Sequence, residues 1–81
     1  MVQVALLVAQ WCPVCPSAKR LWGSLRDEYP FEYREVDIST DEGERIVEKH
    51  HLLSVPTTMI DGKVAFVGVP DREEAMREVR K

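Results

Sequence analysis

The chain has 81 residues, a formal net charge of −3 and a pI near 5.3. That length holds one small domain with a core close to the lower limit for independent folding. The acidic balance gives no cationic footprint for nucleic acid, and Met1–Gln10 lacks the basic start and apolar length of a secretory or membrane-spanning segment. The expected product is one domain over residues 1–81, monomeric and cytoplasmic, with neither nucleic-acid nor membrane partners.

In chain order, Val2 to Ala9 is almost continuously apolar, as a central strand covered on both faces would be. Trp11-Cys12-Pro13-Val14-Cys15 follows and contains both cysteines of the chain. Ala18, Leu21, Trp22 and Leu25 then recur at helical spacing, and Pro30 closes that helix. Cys15 shares their inward face, which leaves Cys12 at the exposed tip. Pro13 suits an early helical position, where its missing N–H is little loss, whereas Pro16 is expected to remove an intrahelical bond.

Residues 31–38 alternate aromatic or β-branched residues with charges and predict a second strand. Ser39-Thr40-Asp41-Glu42 has the form of a capping box and opens a helix from Asp41 to about His50. Thr57–Ile60 and Val64–Val67 predict two short strands, joined at Asp61-Gly62 by a two-residue type I′ turn. Asp71 caps a last helix, with Glu73 and Glu74 in its first turn and Arg77, Arg80 and Lys81 near its end. Met59, Phe66 and Met76 are assigned to the core. The order β-α-β-α-β-β-α, with a right-handed parallel crossover first and a hairpin later, gives an α/β fold: a four-stranded mixed sheet with helices on both faces.

A C-x-x-C pair between a strand and a helix is the arrangement for thiol–disulfide exchange. The structural alternative is a staple, but a loop of about four residues contributes only about 2 kcal/mol in the chain-entropy view, before strain. In a reducing compartment such a pair is more often catalytic than structural. Cys12 is therefore the expected nucleophile, its thiolate favoured by a helix N-terminus, and Cys15 the resolving thiol. Trp11 is placed on the rim of a docking surface and Trp22 in the core. His50-His51 tempts a metal reading, yet adjacent histidines at a helix end diverge and are not a usual ligand pair. Their simpler role is at the helix C-terminus, so no metal and no other cofactor is expected.

Three segments in order carry a resemblance to the thioredoxin–glutaredoxin superfamily: Trp11-Cys12-Pro13-Val14-Cys15, Ser54-Val55-Pro56-Thr57 and Phe66-Val67-Gly68. Together they span nearly the whole chain. Ser54-Val55-Pro56-Thr57 resembles the family's cis-proline loop, and Gly68 resembles the glycine that ends the last strand beside the dithiol. The resemblance implies the thioredoxin-like fold and substrate-binding roles for Trp11, Pro13, Val14, Val55, Pro56 and Gly68. An extended target would pair with the Val55 backbone as an added strand does.

The subfamily features are mixed. Length and Cys15-Pro16-Ser17-Ala18-Lys19 look like glutaredoxins, as does Leu6, where thioredoxins usually bury an aspartate. Ala9-Gln10-Trp11-Cys12 looks like thioredoxins, with Gln10 where many glutaredoxins carry lysine, and Gly68-Val69-Pro70-Asp71 lacks the paired glycines that hold glutathione. The chain is most similar to the small glutaredoxin-like thioredoxins of archaea and some bacteria. That resemblance implies a dithiol reductase of protein disulfides, recharged by a thioredoxin-reductase-like flavoenzyme. The alternatives are a glutathione-dependent glutaredoxin and, from another class, a non-catalytic binding module or metal carrier.

Overall fold

The computed structural model describes residues 1–80; Lys81, assigned above to the last helix, lies outside them. Four strands and three helices alternate as β1 (Gln3–Val8), α1 (Cys15–Glu28), β2 (Glu32–Asp37), α2 (Asp41–His50), β3 (Thr57–Ile60), β4 (Lys63–Val67) and α3 (Arg72–Val79). The sheet order is β2-β1-β3-β4. β1 runs parallel to β2, pairing Leu7 with Val36, and antiparallel to β3, pairing Leu7 with Thr57. The predicted mixed sheet and element order are both present. Asp61 and Gly62 have φ of 51° and 81°, the two positive values that a type I′ hairpin requires, and β4 starts directly after them at Lys63.

Strand pleating divides the core in two. Val4, Leu6 and Val8 project to one side, with Ala18, Trp22 and Leu25 of α1 and Ala75 and Val79 of α3. Leu7 projects to the other, with Val36 and Met59, and Ala5, Ile38, Ile46 and Leu52 pack around them. This explains why β1 has no polar face. Trp22 is fully buried; its indole N–H donates to the Thr58 hydroxyl at 3.1 Å, and its ring meets Phe31 edge-on at 6.0 Å. Met59 is buried as expected, while Phe66 and Met76 sit half-buried at the margin.

Two helix starts differ from the sequence reading. The capping box slides by one residue, so Thr40 is the cap and its hydroxyl accepts from the Gly43 N–H at 3.0 Å. Ser39 turns back to Asp37, and Glu42 pairs with Arg34 instead of reaching the cap. The cause is Gly43. A Cβ there would overlap the Asp37 carbonyl and come within 2.7 Å of the Ile38 Cα, so the first turn of α2 closes onto the end of β2 at that position alone. The other difference lies in α1, which starts at Cys15 with Val14 as its N-cap. Pro13 therefore precedes the helix. Pro16 falls in the first turn, where backbone N–H groups have no intrahelical acceptor, and so removes no bond. Asp71 caps α3 as expected, through the Glu74 N–H at 3.2 Å.

Candidate active site

β1, an interior strand, ends at Val8, and a short connection containing Trp11 to Val14 leads from it to α1. Cys12 and Cys15 form a disulfide with a Cα separation of 5.5 Å. Val14 offers no side-chain cap, and its carbonyl takes the Ser17 and Ala18 N–H groups. The Cys15 N–H would otherwise be an orphan of the first turn. It points at Cys12 Sγ at 3.1 Å, so the sulfur supplies the acceptor that the sequence does not.

Cys12 is not at an exposed tip. Its exposure is 6%, against 1% for Cys15. The cover comes from the loop before β3, where the Val55 carbonyl oxygen lies 3.7 Å from Cys12 Sγ. The expected inward placement of Cys15 stands, and Cys12 keeps the narrower advantage of being the less enclosed residue.

The Val55–Pro56 bond is cis. Pro56 is fully buried, its carbonyl accepts the Gly68 N–H at 2.8 Å, and Gly68 holds φ +87°. Gly68 thus ties the end of β4 to this loop, in a conformation that L side chains rarely adopt. The Thr57 hydroxyl donates to the Ser54 carbonyl at 2.8 Å and closes the loop from within. Trp11 is 73% exposed, and Pro13 and Val14 are also on the surface.

Of the eight residues singled out in the sequence, Cys12, Cys15, Val55, Pro56 and Gly68 form one connected set. Trp11, Pro13 and Val14 are the exposed segment beside it. Sequence reasoning passed over Leu52 and Leu53. They combine with Trp11, Ile38, Val47 and Val55 to line a groove of about 160 Å³. Leu53 is 98% exposed. The available signal was the apolar pair standing directly before Ser54-Val55-Pro56. His51 closes α2 as a left-handed C-cap whose N–H reaches the Val47 carbonyl, and no group of three metal-ligating side chains occurs among the described residues.

Nothing ionisable is fully enclosed behind the dithiol among the described residues. Leu6 is completely buried, and the buried polar side chains are those of Thr57 and Thr58. The chemistry this arrangement can perform is reversible two-electron exchange between the sulfur pair and a second disulfide.

The sequence matches the Thioredoxin domain family over residues 2–80, and the chain belongs to that family. It is similar to the thioredoxin of Methanocaldococcus jannaschii, 30% identical over 80 residues that span 99% of this chain and 94% of that one. A probable thioredoxin of Archaeoglobus fulgidus is 31% identical over 81 residues, covering 100% and 89% of the two chains. Among solved structures, thioredoxin of Fasciola hepatica superimposes with a TM-score of 0.76 at 28% identity, covering 99% of this chain and 81% of its own. A mutant thioredoxin of Halobacterium salinarum gives 0.78 at 22% identity, covering 96% and 71%, a likeness of fold. The protein is accordingly a dithiol thiol–disulfide oxidoreductase. These relatives lend the glutathione-dependent alternative no support. Thioredoxins act on disulfide-containing targets, and no helix among the described residues is long and apolar enough to cross a membrane.

Proposed function

We propose that this protein is a cytoplasmic, monomeric reductase of protein disulfides in which Cys12 is the nucleophile and Cys15 the resolving thiol. The observation that carries the assignment is the Cys15 N–H aimed at Cys12 Sγ, Cys12 being the less enclosed of the two residues. A hydrogen bond to the charged form favours it, so this donor stabilises the Cys12 thiolate once the pair is reduced. The thiolate attacks one sulfur of the target disulfide; an S–S bond forms to Cys12, and the other target sulfur leaves as a thiolate that takes up a proton. Cys15 then loses its proton and attacks Cys12 Sγ, releasing the remaining target thiol and restoring the Cys12–Cys15 disulfide. Two electrons pass to the target, and two are returned by a thioredoxin-reductase-like flavoenzyme.

The target chain lies extended across Val55, whose backbone would hydrogen-bond to it as a neighbouring strand. Pro56 and Gly68 act by fixing that loop, since the Gly68 N–H is engaged by the Pro56 carbonyl. Trp11, Pro13 and Val14 form the opposite bank, with an apolar target side chain seated against Trp11 and Leu53 in the groove between.

Insulin reduction tests the roles. Cys12→Ser abolishes turnover, whereas Cys15→Ser attacks once and accumulates a mixed disulfide detectable by mass. Preferential alkylation of Cys15 in the reduced protein would reverse the assignment. Assays coupled separately to NADPH with thioredoxin reductase and to glutathione with glutathione reductase test the donor. Turnover is expected in the former; efficient turnover in the latter overturns that part of the proposal.

A further inference from the structure

Another cleft, of about 410 Å³, lies at the end of the sheet away from the dithiol, where α2 covers only part of the face beneath it. Its floor is apolar, with Ala5 and Met59 from the sheet and Ile46 from α2. The helix wall carries Arg45, Lys49 and His50. Arg45 and Lys49 stand four residues apart, and so on one side of the helix. Neither has an ion pair or side-chain hydrogen bond among the described residues. Arg34 and one carboxylate, Glu42, also line the cleft, and the two neutralise each other as an ion pair at 2.6 Å. The remaining acids of α2, Asp41, Glu44 and Glu48, do not line the cleft. A chain of net charge −3 thus gathers unpaired cations at one place, over a floor that water wets poorly.

We propose that this cleft binds a small organic anion, with its flat apolar body on Ala5, Ile46 and Met59 and an oxyanion head, such as phosphate, between Arg45 and Lys49. The volume falls in the range of small-molecule sites, which combine an apolar lining with a few convergent polar groups. The Arg45 fork matches a tetrahedral oxyanion through two parallel N–H bonds, and Lys49 adds a mobile point charge. Two like charges at this helical spacing repel each other when the cleft is empty. An anion between them removes that repulsion, which favours the bound state further.

The probe is 1-naphthyl phosphate, titrated into the full-length protein while amide and methyl shifts are followed by NMR. Shifts are expected at Ala5, Ile46 and Met59, weakening as salt is added. Inorganic phosphate alone and 1-naphthol alone should each bind at least tenfold more weakly. The double variant Arg45→Gln/Lys49→Gln keeps two exposed side chains of good helix propensity and should lose at least tenfold in affinity with insulin reduction unchanged. Four results overturn the proposal: no shift at millimolar probe, shifts centred on Trp11 and Leu53, equal binding of either fragment, or affinity unaffected by the variant.

Discussion

The two faces of the sheet are held by different means. The face under α1 and α3 is closed by side-chain bulk: Trp22, Leu25 and Phe31 interlock there, with Ala75 and Val79 above Ile60. Arg72 at the start of α3 also bonds to Ser24 and Glu28 of α1, so the two helices brace one another. The buried hydrophobic cluster under α2 is smaller, made of Leu7, Val36 and Met59. Its helix is seated by a fitted backbone at one end, where Gly43 lies on Asp37 and Ile38. Beyond α2, Val67 of β4 is 69% exposed. One face therefore supplies stability, and the other leaves surface free for contact. The dithiol sits where they meet, because Cys12 and Cys15 pack with the α1 and α3 face while Val55 packs against both.

The sharpest test sets Trp22 against Val67. Trp22→Ala empties a fully buried site and strips the Thr58 hydroxyl of its indole partner, at an expected cost of about 3–5 kcal/mol. Val67→Ala on the open face should change stability by no more than about 0.5 kcal/mol. Urea unfolding of both variants checks the pair. A loss at Val67 comparable with that at Trp22 would mean the α2 face is closed in solution.

Gly43 tests whether backbone fit seats α2. Alanine is favoured over glycine within helices by about 1 kcal/mol, so a site without steric demand would gain from Gly43→Ala. Here the added Cβ meets backbone atoms of β2, which cannot swing aside, and the expected outcome is a loss of about 1–3 kcal/mol. Stabilisation by this substitution would remove the close approach from the account.

Caps come next in size. Thr40→Ala and Asp71→Ala each remove one side-chain acceptor from a helix start, at about 1 kcal/mol apiece. Hydrogen exchange should separate them. Loss of Thr40 loosens α2 alone, because its ties, the Gly43 contact and the Arg34–Glu42 pair, run to β2 and not to α1 or α3. Loss of Asp71 leaves α3 protected, because Arg72 still ties it to α1. Equal loosening of the two helices would contradict the difference between the faces.

Much of this was legible in the sequence, wherever the cause is local. The apolar run of β1, the Asp61-Gly62 turn and the Asp71 cap each follow from residues within a few positions of one another. The helix starts were harder. Ser39 and Thr40 are both good caps, and what decides between them is the contact of Gly43 with β2, a tertiary fact. A glycine inside a predicted helix can have a packing reason, but it does not by itself tell which one does: Gly43 meets β2, whereas Gly23 in α1 has open space around it. The burial of Cys12 had no local sign at all, since its cover is Val55, forty-three positions along the chain. The groove beside Trp11 is likewise assembled from four separate stretches of chain.

The smallest expected effect concerns Asp37, at the hinge where β2 hands over to α2. The Ser39 hydroxyl donates to its carboxylate at 2.7 Å and the Ser39 N–H at 2.8 Å, and these bonds, the hydroxyl first, hold its pKa below the ordinary value of 3.8. A carboxyl whose pKa is lowered by folding contributes its stability fully above the unfolded value. That contribution is lost as pH falls below about 3.8 and through the lower folded pKa. The group is open to solvent, so the effect is local: acid should loosen the 37–40 turn and the first turn of α2 before it disturbs α1. Carboxyl chemical shifts across pH 2–6 read this directly. Ser39→Ala should move the Asp37 midpoint up towards the ordinary value while the remaining N–H bond keeps part of the shift. An unmoved midpoint would assign the lowering to charge from Lys19 instead, which Lys19→Gln would then reveal.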